Sequence, residues 1–91
     1  MERLVIIPTY NEKENIEAII TAVMTLPLDF NVLVIDDGSP DGTADIVKGL
    51  MENQYKDRLF IIERAGKLGL GTAYITGFKW AIEHEADYIF E

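Results

Sequence analysis

VLVIDDGSPDGT, Val32 to Thr43, runs four apolar residues into two adjacent carboxylates and then into a loop of Gly, Ser, Pro and Asp. Unbroken apolar runs of this length and β-branched character build strands buried on both faces, as in a parallel sheet. Such strands do not ordinarily end in paired negative charge, because like neighbours repel and a turn needs only one Asp. The stretch therefore predicts a buried strand whose carboxyl end carries a binding group.

The pattern recurs on either side. Leu4 to Ile7 reads as a first strand, followed by a helix in which Ile16, Ile19, Ile20 and Val23 fall at i, i+3, i+4 and i+7 and which stops before Pro27. Asn11, with Glu14 three residues on, reads as its cap. After the DDGSPDG loop, Ile46, Val47, Leu50 and Met51 mark a second helix that begins near Asp41 or Thr43. Leu59 to Ile62 is the third strand. The loop AGKLGLG then leads to a third helix with Ile75, Phe78 and Ile82 on its apolar face, and Asp87 to Phe90 begins a fourth strand. Strands alternating with helices at this spacing mean right-handed βαβ units and a parallel sheet covered on both sides. Because the chain stops inside that fourth strand, residues 1–91 are expected to be the N-terminal part of one larger domain.

Composition narrows the function. An apolar content of 48% with 26% charged residues is that of a globular domain. Eight basic against 16 acidic side chains give a net charge of −8, which excludes a general nucleic-acid binder because no basic stripe is available to neutralise phosphates. The chain has no cysteine, so disulfides and thiolate metal sites are ruled out. No apolar run approaches the roughly 18–20 residues of a membrane-spanning helix, and Pro8 and Tyr10 interrupt the first run before it resembles a signal peptide. The expected location is cytoplasmic.

In open α/β sheets, ligands bind outside the carboxyl ends of the strands. Everything unusual here falls at those ends: Pro8-Thr9-Tyr10-Asn11-Glu12 after the first strand, Asp36-Asp37-Gly38 after the second, and Gly66, Lys67, Gly69 and Gly71 after the third. Asp36 and Asp37 are read as facing a ligand with N–H donors, a bound metal, or both. Asp41 and Ser39 are read as turn and capping groups. GxxxxGK[ST] is absent and Gly69-Leu70-Gly71 lacks the third glycine of a dinucleotide fingerprint, so neither phosphate-binding motif applies. His84 and Trp80 are read as packing residues.

PTYNE, DDGSPDGT and GKLGLGTAYITGF, in this order and spacing, resemble the family 2 glycosyltransferases, and most of all their dolichol-phosphate or polyprenyl-phosphate mannosyltransferase branch. The resemblance covers nearly the whole chain. It implies the nucleotide-binding half of a GT-A-type fold: three-layer, Rossmann-like, with parallel strand order 3-2-1-4 and here truncated in strand 4. It also implies that Pro8, Tyr10 and Glu12 form the first nucleotide-contact segment, that Ile35 and Asp37 meet the base with Asp36 as neighbour, and that Lys67 approaches the donor phosphates. The Asp-x-Asp motif for Mg2+ or Mn2+ is expected just after Glu91, so no metal ligand or catalytic residue is expected within the chain and the 91 residues alone are expected to be inactive.

The implied parent is an enzyme transferring mannose with inversion from GDP-mannose to dolichyl or polyprenyl phosphate, peripheral at the cytoplasmic face of the membrane. Its partners would be the nucleotide sugar and a lipid phosphate, with no nucleic acid. Two other readings stay open: a related transferase using a UDP-sugar, and a non-catalytic nucleotide-binding module. A response-regulator-like switch ranks below both, because its acidic pair follows the first strand and this one follows the second.

Overall fold

The computed structural model describes residues 1–66 and 68–91. Its elements run β1 (Arg3–Thr9), α1 (Ile16–Met24), β2 (Phe30–Asp36), α2 (Thr43–Asn53), β3 (Leu59–Glu63), α3 (Leu70–Glu83) and β4 (Tyr88–Phe90). The strands form one parallel sheet in the order β3-β2-β1-β4, as the resemblance implied. The two crossovers through α1 and α2 step one way from β1 to β3, and the third, through α3, returns past them to β4. Strand order therefore reverses beside β1, which makes its carboxyl end the switch point.

Alternation along the strands divides the apolar residues between two layers. Val32 and Val34 of β2 pack with Ile16, Ile20 and Met24 of α1 and Val47 and Leu50 of α2. Leu4, Ile6, Leu33 and Ile35 face the other way, against Ala73 and Ala81 of α3. Each large aliphatic side chain so buried contributes about 1.5–3 kcal/mol relative to exposure. The sheet is thus covered on both faces, as its continuous apolar strands require.

The three helices differ from their sequence patterns in instructive ways. In α1 the buried stripe is Ile16, Ile20 and Met24, and Ile19 is exposed, because the helix meets the sheet along one i, i+4, i+8 row. Asn11 is not its cap. It adopts a left-handed backbone (φ 55°), a turn closed by the Glu12 carbonyl intervenes, and the helix opens at Ile16. The N–H groups of Asn11, Glu12 and Lys13 are drawn instead to side chains of the following loop, which bends the backbone away from a helical path.

In α3 the expected apolar face is wrong: Ile75 and Ile82 are exposed, and Ala73, Gly77 and Ala81 are buried. The helix lies so close to β1 that a Cβ on Gly77 would stand 2.8 Å from the Ile6 side chain, so only small residues fit beneath it. Phe78 does pack against this layer. Trp80 packs on a flank against Phe60, with ring centroids 5.0 Å apart, and stacks on His84 at 3.7 Å, in keeping with the packing roles read for both.

Candidate functional site

The carboxyl ends of β1 and β2 reach equally far, with Pro8 beside Ile35 and Thr9 beside Asp36. Above them a shallow cleft of about 110 Å³ is lined by Pro8, Thr9, Tyr10, Asp37, Gly69 and Leu70. Segments following three different strands thus meet at the switch point, where an α/β sheet is open to a ligand.

The two adjacent carboxylates have different surroundings. Asp36 ends β2 and is buried beneath the cleft. Its Oδ1 accepts from the Thr9 hydroxyl at 2.7 Å and the Ser39 hydroxyl at 2.7 Å, and its Oδ2 accepts from the Ser39 amide at 3.0 Å. Asp36 therefore holds β1 to the loop after β2. Asp37 points into the cleft wall and is gripped by Arg64: Nε lies 2.6 Å from Oδ1 and Nη2 2.9 Å from Oδ2. Both side chains are almost wholly buried, so this fork-to-fork pair is shielded from the screening that weakens surface ion pairs.

Between these carboxylates and α2, the loop is laced to the segment after β1. The amides of Asn11, Glu12 and Lys13 donate to Ser39 Oγ (2.9 Å), Thr43 Oγ1 (3.0 Å) and Asp41 Oδ2 (3.1 Å). Asp41 Oδ1 also accepts from the amide and hydroxyl of Thr43, the Asx-type turn expected of it. The Thr43 hydroxyl bond, with the Lys13 and Thr43 amides, holds the Asp41 carboxyl below its ordinary value of 3.8. Gly38 provides the tight corner. Its φ is +69°, and a Cβ there would stand 2.8 Å from the Gly66 nitrogen.

Of the residues expected at a nucleotide site, Pro8, Tyr10 and Asp37 come together in the cleft. Asp36 lies directly below it. The Ile35 side chain is buried in the α3 layer, so that position can face a ligand only through its backbone. Glu12 stands at the edge of the laced loops, with Oε2 3.4 Å from Asn15 Nδ2, outside the cleft lining. Lys67 lies outside the described residues.

Sequence reading placed Thr9, Gly69 and Leu70 in segments at the strand ends without giving them a role in the site, and it missed Arg64. Register is the signal that finds Arg64: Asp36 pairs with Glu63, so the next residues, Asp37 and Arg64, emerge side by side.

A divalent cation does not fit these groups. Among the described residues no three His, Cys, Asp or Glu side chains are placed to share one. Asp36 is already engaged by hydroxyl and amide donors, and the charge of Asp37 is already balanced by a guanidinium.

The sequence profile of glycosyl transferase family 2 matches residues 4–89. Over 88 residues, 97% of this chain, it is 42% identical to the polyprenol monophosphomannose synthase of Mycolicibacterium smegmatis, of which it covers 33%. It is 38% identical across its whole length to the undecaprenyl-phosphate mannosyltransferase of Micrococcus luteus, covering 37% of that protein. It thus spans about a third of the length of these relatives. The fold is similar, with a TM-score of 0.81 and 29% identity over 88% of this chain and 24% of the other, to a mannosyltransferase from Pyrobaculum calidifontis in complex with GDP-Man and Mn2+. A parallel β3-β2-β1-β4 sheet, a switch-point cleft walled by the PTYNE and DDGS segments, and a profile match over nearly the full chain lead to one assignment: the chain belongs to glycosyl transferase family 2.

Proposed function

We propose that residues 1–91 form the nucleotide-sugar-binding part of a glycosyltransferase domain that moves mannose from GDP-mannose to a polyprenyl or dolichyl phosphate, with inversion at the anomeric carbon. The observation that carries this reading is the cleft at the switch point, where Pro8, Thr9 and Tyr10 face Asp37. Tyr10 offers an aromatic face and Asp37 a carboxylate to the paired N–H donors of a base. Pro8, Ile35 and Glu12 shape the same corner, Asp36 fixes its floor, and Lys67 serves the donor phosphates. The named relatives act with polyprenol or undecaprenyl phosphate, and the structural neighbour holds GDP-Man. These matches favour mannose and guanine over a UDP-sugar.

The chemistry asks little of a general base. A phosphate monoester has a second pKa of about 6, so the acceptor is largely dianionic near neutrality and attacks unaided. The demanding event is departure of the nucleoside diphosphate, whose developing charge must be stabilised. A Mg2+ or Mn2+ ion supplies that stabilisation in this reading. The structural neighbour, which holds Mn2+ as well as GDP-Man, supports a divalent ion in this role. The acceptor is embedded in a membrane and the enzyme is peripheral to its cytoplasmic face. Among the described residues no helix is long and apolar enough to cross a membrane.

Amide NMR titration of the chain with GDP-mannose and with UDP-glucose tests the reading, alone and in a chain continued past Glu91. Shifts centred on Pro8–Glu12 and Ile35–Gly38, larger for GDP-mannose, are expected. Larger shifts with UDP-glucose would move the donor to a UDP-sugar. Binding by the longer chain without transfer to a lipid phosphate would leave a nucleotide-binding module.

A further inference from the structure

Arg64 forms bonds to two walls of the cleft. Through Nε and Nη2 it grips Asp37, at 2.6 and 2.9 Å, and on the opposite side Nη2 donates to the Gly69 carbonyl at 3.2 Å. Its Nη1 donates to Thr72 Oγ1 at 3.0 Å, in the first turn of α3. Thr72 Oγ1 in turn lies 3.0 and 2.9 Å from the carbonyls of Leu68 and Gly69, which it caps. The Arg64 backbone is fixed as well, its amide donating to the Asp36 carbonyl at 2.7 Å. Asp37, Gly69 and Leu70 all line the cleft, and Arg64 ties the first of these to the backbone that carries the other two.

We propose that Arg64 is a positioning residue for nucleotide recognition, setting Asp37 and the Gly69–Thr72 turn at a fixed separation so that the cleft is formed before the ligand arrives. The proposal rests on the nucleotide-sugar reading above. Two physical consequences of the pair support it. A carboxylate has about four acceptor positions, so a two-bond fork leaves Asp37 able to accept from a ligand N–H while its orientation is locked. The guanidinium also cancels the Asp37 charge, which would otherwise repel an anionic nucleotide from the wall of a chain whose net charge is −8. A lysine cannot reproduce the arrangement, because its single ammonium has no planar fork with which to reach carboxylate, carbonyl and hydroxyl together.

The test uses the chain continued past Glu91, titrated with GDP-mannose, with thermal melting in parallel. Arg64→Lys keeps the charge and is expected to weaken binding about 10-fold, the scale of one charge-assisted hydrogen bond. Thr72→Val keeps the Asp37 pair and removes the anchor on α3; it is expected to weaken binding about threefold. The double variant should bind no worse than Arg64→Lys alone, since both changes break one chain of contacts. Folded variants that bind like the wild type, with only the melting temperature lowered, overturn the proposal and leave the nucleotide reading standing. Should Arg64→Lys fail to fold, Thr72→Val decides by the same criterion. A wild-type protein that binds no nucleotide sugar overturns the underlying reading and the role of Arg64 with it.

Discussion

At the residue scale, the neighbours Asp36 and Asp37 show how one backbone step separates a buried brace from a group on the cleft wall. Asp36 points down into the joint between β1 and the loop after β2, and Asp37 points out into the cleft wall. Gly38 then turns the chain in a space closed by the backbone of Arg64 and Gly66. Gly38→Ala combines a left-handed φ with that clash and is expected to lower stability by about 2–4 kcal/mol, read as a shift in the urea midpoint at unchanged slope. Asp41 yields a pH prediction. Its folded carboxyl titrates below the ordinary 3.8, so the ionised form favours the folded state. The stabilisation is complete above the unfolded value and is lost as pH falls below about 3.8 through the folded value. In melts between pH 6 and pH 2, Asp41→Asn should flatten the acid limb of the wild-type curve. A limb of unchanged steepness would show that other carboxyls govern it. The pairing of Asp37 was hidden from residue-by-residue reading because Arg64 lies 27 positions away and the two meet only through sheet register.

At the scale of elements, the strands were legible because a strand buried on both faces writes an unbroken apolar run, and all four were located to within a few residues. Helix faces were less so. In α3 the closest contact with the sheet is made by Ala73, Gly77 and Ala81, which carry almost no hydrophobic signal, and two of the three large residues that mark the pattern, Ile75 and Ile82, point outward. A close helix–sheet approach erases the periodicity by which it would be recognised. Two glycine substitutions separate propensity from packing. Gly49 of α2 has nothing within 4 Å of an added Cβ, so Gly49→Ala should stabilise the protein by about 0.5–1 kcal/mol through helix propensity alone. Gly77→Ala gains the same propensity but drives a methyl against buried Ile6, and overpacking of about 1–3 kcal/mol leaves a net loss of stability. Denaturant melts of the two variants should shift in opposite directions. Equal shifts would mean that α3 can lift from the sheet without penalty.

On the scale of the whole molecule, strand order came from the resemblance, since alternation alone gives parallel units and not their sequence across the sheet. The order leaves β4 as an edge, with Tyr88, Ile89 and Phe90 exposed. An open apolar edge invites pairing between chains, and a net charge of −8 opposes it until salt screens the repulsion. Sedimentation of the 91-residue chain is expected to show association that rises with both concentration and salt, and Ile89→Lys should reduce it. Association that ignores salt, or that survives the substitution, would point to another surface. The lacing beside the cleft has a different reach. Three successive amides in an exposed loop, Asn11 to Lys13, donate to side chains 28 to 31 positions further along the chain. Solvent deuterium can replace those protons only when the start of α2 swings away from the end of β1. A loop that looks free to move thus keeps time with the core, and its exchange would report the opening of the sheet's carboxyl end as a single event.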